Sequence, residues 1–419
     1  MESTDFGPGG WLKIGIGEIE VLAQGMFWLP NRSEPSFRMP MQKLSTPRRF
    51  QYPNMAPKRS MKLHQDYPFV LAYEGVCPVL KEPVRRSEFG SSVLGRVTLG
   101  RQAVLEAFAV LRGDGHVVNV GGEFHLGLHS TVHIAHSLYG ATIGERVTVG
   151  TNSVVHASTV GDDCVIEDGV SVLDGAIIGH GSVVATGSVV FPRKVLPPGQ
   201  WCEGLPAVPT RSVDPAELQA LHVRMRTNAR ADSLVAAAQS YGSIVFREDN
   251  RGYVAATVSG NGELRMDEGS SLWFGCVVEA GRLGVTIGRG SNIQDNTVLR
   301  SSEHAVTVGE VCTIGHNVLL HDCVIGERVL VGMGSTLAPG TIVRDDVLVA
   351  AGSRTARGQV LDSGWLWAGR PARRMSRLDE RMRRLIQESA AVYREYALEF
   401  SINQAAVLRC MAEQDSGTR

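Results

Sequence analysis

The feature that most constrains this 419-residue chain is a six-residue rhythm of aliphatic side chains, which occurs twice. Ile143, Val149 and Val155 stand six apart; after one five-residue step come Val160, Ile166, Val172, Ile178, Val184 and Val190. The pattern returns in Val308, Ile314 and Leu320 and, after the same five-residue step, in Ile325, Val331, Leu337, Val343 and Val349. A helix repeats every 3.6 residues and a half-buried strand every 2, so neither produces a strict period of six. Short parallel strands winding around a triangular prism do, with one aliphatic residue pointing inward per face. The reading is two tandem left-handed parallel β-helices, each followed by a C-terminal α-helix. Glycine directly after the inward residue (Gly144, Gly150, Gly161, Gly179, Gly309, Gly315, Gly326, Gly332) is expected at the corners, for backbone freedom. The shared five-residue step marks the halves as copies of one module.

Composition agrees with thin coils: aromatic residues make up 6% and there are 47 glycines. A net charge of -1 gives no reason to expect a nucleic-acid partner. The seven cysteines are scattered and lack C-x-x-C spacing, which suits a reducing compartment. No apolar run reaches the length of a transmembrane helix, and Glu2 and Asp5 in a start without an apolar stretch argue against a secretory signal.

Residues 1–88 do not follow the rhythm and are rich in proline. Between Arg32 and Lys62 eight basic residues face Glu34 alone. This segment reads as an extended arm, suited to docking on a larger assembly through Trp11, Phe27 and Trp28. The first β-helix with its trailing helix is placed at 89–240, a connector with one strand at 243–246 within 241–262, the second β-helix and helix at 263–400, and a tail at 401–419. Asp214-Pro215 opens the first trailing helix as cap and first position. The second is predicted from Ser376 to Leu398, with Leu378, Met382, Leu385, Ile386, Ala390 and Tyr393 on one stripe.

The chemistry-bearing segments are Leu111-Arg112-Gly113-Asp114, His133 and Gly150 to His156 in the first half. In the second they are Asn292-Ile293-Gln294-Asp295-Asn296 and Gly315-His316-Asn317-Val318-Leu319-Leu320-His321. These segments, with the trailing Gly369-Arg370-Pro371-Ala372-Arg373 turn, resemble the γ-class carbonic anhydrase family over about 230 residues, the first 88 excluded. The resemblance implies three zinc-binding histidines. Their positions fall on His133, Thr151 and His156 in the first half and on Arg300, His316 and His321 in the second, so each half lacks a different ligand. Five extended residues span about 16 Å, so residues 151 and 156, or 316 and 321, leave on different faces and cannot share an ion held at about 2 Å. Residues 133 and 156 can stack one coil apart.

The family arrangement, two ligands from one prism and the third from its neighbour around a three-fold axis, then implies one complete site. His133 and His156 come from the first prism and His316 from the second. The reverse junction (His321, Arg300, Thr151) is broken. Zinc is the implied cofactor, carbon dioxide hydration the implied activity, and Gln294 the candidate to orient the reacting water. Arg112, Asp114 and Asp295 are assigned to ion pairing at the interface between prisms.

A third prism, from another copy or a separate subunit, would complete a pseudo-three-fold assembly. The rival reading is a metal-free structural subunit, such as the γ-carbonic-anhydrase-like proteins mounted on mitochondrial respiratory complex I. The arm of residues 1–88 would then contact a large membrane complex, placing the chain on the mitochondrial matrix side; a cytoplasmic protein is the alternative. A coenzyme-A-dependent acyltransferase is a further enzyme class, but its extruded histidine loop and longer C-terminal coils are not evident. His125, His129 and His136 read as loop histidines.

Overall fold

The computed structural model describes residues 67–227, 243–247 and 250–416. The docking arm therefore lies outside the described residues up to position 66. Each half is a triangular prism of stacked parallel coils. In the first, two faces merge into a 12-stranded sheet through the long strands Ser92–Leu99 and Val110–Val120, and the third face is an 8-stranded sheet. The second repeats this plan with 11- and 8-stranded sheets. Each prism ends in an antiparallel hairpin, Gln200–Gly204 with Ala207–Ser212 and Trp365–Gly369 with Ala372–Arg377.

The inward residues stack in register. Leu126 pairs with Val149, Val149 with Ile166 and Ile166 with Val184, and all four are fully buried. The five-residue step shortens one coil of each prism, so that Val149 meets Ile166 and Ile314 meets Val331 seventeen residues on. It is absorbed at a corner, where Ala157 and its counterpart Asp322 both take φ 46.

The glycines after the inward residues have a different reason from the one expected. They do not adopt positive φ; their neighbours in the next coil come too close for a side chain. A Cβ on Gly315 would lie 2.7 Å from Met333 N and 3.0 Å from Val331 O, both backbone. The left-handed corner falls two residues later, at Asn152 (φ 54) and Asn317 (φ 55), where a short amide side chain tolerates it.

The prisms also start earlier than the rhythm indicated. Phe69–Leu71 pairs with Ser92–Leu94, Val79–Leu80 with Thr98–Leu99, and Arg86–Ser87 with Val104–Leu105. Residues 67–88 thus form the first coil rather than part of an arm. The expected connector likewise contributes strands: Ile244–Phe246 pairs with residues 262–264, and Tyr253–Val254 with Ser271–Leu272. Edge strands of two or three residues carry too little of a period to be recognised in sequence.

Among the described residues, one helix follows each prism. Helix α1 (Pro215–Thr227) is capped by Asp214, whose Oδ1 accepts from the amides of Ala216 and Glu217. It lays Leu221 over Val165 and Val183 on the 8-stranded face. Helix α2 (Glu380–Ser416), capped by Asp379, continues well past the expected end because nothing between 399 and 416 breaks it. Its apolar stripe fills the groove between the prisms. Leu378, just before the Asp379 cap, and Met382, Leu385 and Ile386 of the helix pack with Val154, Leu173 and Val189 of the first prism and Leu330, Leu348 and Leu366 of the second. Further along, Tyr393, Tyr396 and Phe400 join Leu94 and Val110 of the first prism and Trp273 and Phe274 of the second. At roughly 1.5–3 kcal/mol per fully buried large side chain, these clusters hold the prisms as one body.

Candidate metal centre

His133 and His156 end the strands Thr131–His133 and Val154–His156 and are direct register partners. His316 sits at the corner after Thr313–Ile314 of the second prism, and that corner is anchored to the first prism by side-chain amides. Asn317 donates to the His129 carbonyl at 2.7 Å and to Asn152 Oδ1 at 3.0 Å, and accepts from Thr131 Oγ1 at 3.0 Å. Asn296 donates to Thr131 Oγ1 at 2.9 Å. The two equivalent left-handed corners, Asn152 and Asn317, therefore meet across the joint.

This brings three imidazoles together. His133 Nδ1 lies 3.2 Å from His156 Nε2 and 3.1 Å from His316 Nε2, and all three ligand atoms fall within 4.8 Å of one another. Tetrahedral ligands at 2.0–2.1 Å from zinc are spaced by about 3.3 Å. All three rings are buried, His316 completely.

The other nitrogen of each ring faces a buried carboxylate. His133 Nε2 is 3.0 Å from Asp114 Oδ1 and His156 Nδ1 is 2.5 Å from Asp174 Oδ1. His316 Nδ1 is 3.2 Å from Asp295 Oδ2, a contact more electrostatic than a formed hydrogen bond. Each carboxylate favours N–H on the nitrogen it faces. With those tautomers the three converging nitrogens present lone pairs to one point, an arrangement suited to a cation. Burial, reinforced by Arg112 and the neighbouring imidazoles, holds His133 well below its ordinary pKa, and burial takes His316 down to about 4 against the pull of Asp295. Both rings are therefore neutral and competent as ligands at neutral pH.

The formal charges point the same way. Among the described residues Arg112 is the guanidinium paired with Asp114 and Asp295, while Asp174 faces His156; all three carboxylates are buried. Arg112 balances one of the three carboxylates; burial raises the Asp174 carboxyl while positive charge at His156 opposes that, so a divalent cation held by the triad would offset the buried acidic charge. The donor set, the charge and the spacing all fit zinc.

Arg112 ties the joint together. Its Nε donates to Asp295 Oδ2 across the joint at 2.9 Å, its Nη1 to Asp114 in its own prism, and its Nη2 to the Tyr393 hydroxyl of α2 at 3.1 Å. Its guanidinium lies 4.5 Å from the Trp273 ring centre. Burial alone would raise the Asp295 carboxyl, but Arg112 and then His316 hold it below the ordinary carboxylate value. Asp114 makes its bonds within the first prism, so Asp295 is the residue that crosses.

Gln294 is buried beside Asp295, but its amide donates to Asn292 Oδ1 at 3.2 Å rather than to a triad imidazole. Arg300 and His321 are register partners on the second prism, but their side chains turn elsewhere: Arg300 is ion-paired with Glu279 and His321 Nε2 is 2.7 Å from Ser302 Oγ. The flanking histidines differ from the loop expectation. His125 is buried in a strand against Glu106, and His129 reaches across the joint to the Gly275 carbonyl at 3.0 Å. His136 is partly buried and meets the Tyr396 hydroxyl at 2.5 Å. Sequence reading missed Asp174 and the role of Tyr393. Asp174 stands 18 residues after His156, one coil further on, and that spacing was the available signal.

A family model described as hexapeptide repeat of succinyl-transferase matches residues 140–174 and 323–353. Among curated proteins, Gamma carbonic anhydrase 1, mitochondrial, of Arabidopsis thaliana is 34% identical over 156 residues, 36% of this chain and 57% of that protein. Protein YrdA of Escherichia coli (strain K12) is 36% identical over 147 residues, 33% of this chain and 80% of that protein. A carbonic anhydrase of Geobacillus kaustophilus (strain HTA426) is 30% identical over 145 residues, 34% of this chain and 78% of that protein. The match spans little more than half the length of the first Arabidopsis relatives, 57% and 53%. Stacked hexapeptide coils with a trailing helix define the class as a hexapeptide-repeat β-helix protein. Within it, the chain belongs to the γ-carbonic-anhydrase-like family.

Proposed function

We propose that this chain is a carbonic-anhydrase-like subunit that hydrates carbon dioxide at one zinc site built between its two unlike prisms. The observation that carries this reading is the convergence of three imidazole nitrogens from both halves, each ring backed by a carboxylate. Zinc held by three histidines makes water acidic enough to attack carbon dioxide near neutral pH. The chain's own residues would do the rest. Asp114, Asp174 and Asp295 fix the ring tautomers, and Arg112 holds Asp295 and the Tyr393 hydroxyl in place. That hydroxyl lies 3.4 Å from His316 Nε2, where it is placed to hydrogen-bond at the reaction centre. Gln294 would orient the reacting water once its amide leaves Asn292.

The proposal extends to assembly. The second prism's Arg300–Glu279 face and the first prism's Thr151 corner are the sides a third prism would occupy, completing a pseudo-three-fold cluster with a single metal site. Carbon dioxide hydration by zinc-loaded protein, followed by stopped flow, tests the activity. It should be lost in His316→Ala; equal rates in the variant, or none in zinc-replete wild type, refute it.

A second reading has its own support. The triad is closed off from solvent, with α2 lying over it, which suits a metal that braces the joint of a non-catalytic subunit in a larger assembly such as respiratory complex I. A mitochondrial matrix location accompanies either version, supported by the word mitochondrial in the names of the Arabidopsis relatives. Zinc bound without hydration activity would favour this second reading.

A further inference from the structure

We propose that Asp174 is a positioning residue for the metal site: it directs His156 to present Nε2 rather than Nδ1, and its charge strengthens metal binding. The inference rests on the reading that the triad holds a divalent metal.

Asp174 lies at the corner beyond the strand Ser171–Val172, whose residues pair with Val154 and Val155 just before His156. The coil stacking therefore carries Asp174 over the His156 ring. Its Oδ1 is 2.5 Å from His156 Nδ1, while its Oδ2 is buried with no hydrogen-bond partner. A carboxylate closed off from water with one bare oxygen is costly unless positive charge stands close by. The partner it faces is His156, and an imidazole becomes electron-poor when its opposite nitrogen binds a cation. The cost of burying Asp174 is thus offset when the triad is loaded.

Comparison of the two halves supports a specific role. The repeat that matches His156 to His321 matches Asp174 to Pro339, which has no carboxylate. There His321 turns its Nε2 to Ser302 Oγ instead. The supporting carboxylate occurs in the half that carries both paired histidines, and it is missing from the half where Arg300 replaces one of them.

The test uses the full chain and the variants Asp174→Asn, which is nearly isosteric, and Asp174→Ala. Zinc affinity is measured by competition with a chromophoric chelator, and cobalt is substituted for its visible spectrum. Zinc affinity should fall about 10–100-fold in both variants, as for other groups that orient a metal-bound imidazole, and the cobalt bands should shift. If Asp174→Ala fails to fold, Asp174→Asn decides. Folded variants with wild-type zinc affinity and an unchanged cobalt spectrum overturn the assignment. Wild-type protein that takes up no zinc overturns the reading of the site itself, a distinct result.

Discussion

Replacing Arg112 with alanine is the sharpest test of how the two prisms are joined. The side chain is fully buried, as are Asp114 and Asp295, and it supplies the bond to Asp295 that crosses between the halves. Its removal leaves the buried Asp114 and Asp295 carboxylates, the Tyr393 hydroxyl and the Trp273 ring without their cation. Breaking a buried ion pair by deleting one partner costs about 3–5 kcal/mol, and Arg112→Ala should fall in that range. The pH dependence of the Asp295 contribution should also invert. In the wild type, Arg112 and His316 keep the Asp295 pKa below its unfolded value, so its contribution is full above about pH 4 and is lost as pH falls. Without the guanidinium, burial dominates and the folded pKa rises above the unfolded one, so the Asp295 contribution declines as pH rises from about 4, opposing the rise that His316 supplies in the same window. Urea unfolding of chelator-treated protein at several pH values reads both effects. A loss under about 1 kcal/mol, with an unchanged pH slope, would refute the idea that this guanidinium braces the joint.

Three further outcomes are expected. In metal-free protein the lowered pKa of His316, about 4 against 6.5 unfolded, makes stability rise with pH between those values and reach its full extent above 6.5, an increment of about 3 kcal/mol; calorimetry showing no such rise counts against the buried neutral ring. Tyr393→Phe removes the acceptor of Arg112 Nη2 and should cost about 1–3 kcal/mol in denaturant unfolding while zinc uptake persists; loss of zinc would mean the hydroxyl is needed to build the site. Gly315→Ala drives a Cβ against the backbone of Met333 next to His316, and should both destabilise by about 1–3 kcal/mol and weaken zinc binding; a stable variant with full affinity would show that the neighbouring coil yields freely.

The fold was legible because its driving force is periodic. Val149, Ile166 and Val184 have to stack, and a six-residue spacing leaves few other ways to bury them. What escaped lies where the period stops: the two-residue strands from Val79 and Arg86, and the continuation of α2 beyond residue 400. Spacing put residues 316 and 321 on different faces and 133 and 156 in register, while joining His316 to that pair followed from the resemblance to the γ-class family. Asp174 and Tyr393 were harder. One contributes through stacking between coils and the other through a helix laid across the joint, and both depend on packing angles that spacing along the chain does not encode. The corner glycines show the same limit, since their small size serves contact with the next coil rather than their own dihedrals.

The claim on which most depends is that one metal ion sits between unlike halves of a single chain. Crystals of freshly purified protein, with data collected on both sides of the zinc absorption edge, test it directly. The expected result is an anomalous peak bounded by His133 Nδ1, His156 Nε2 and His316 Nε2, absent from His316→Ala. No peak there in the zinc-replete wild type, or a peak that survives the loss of His316, would contradict it.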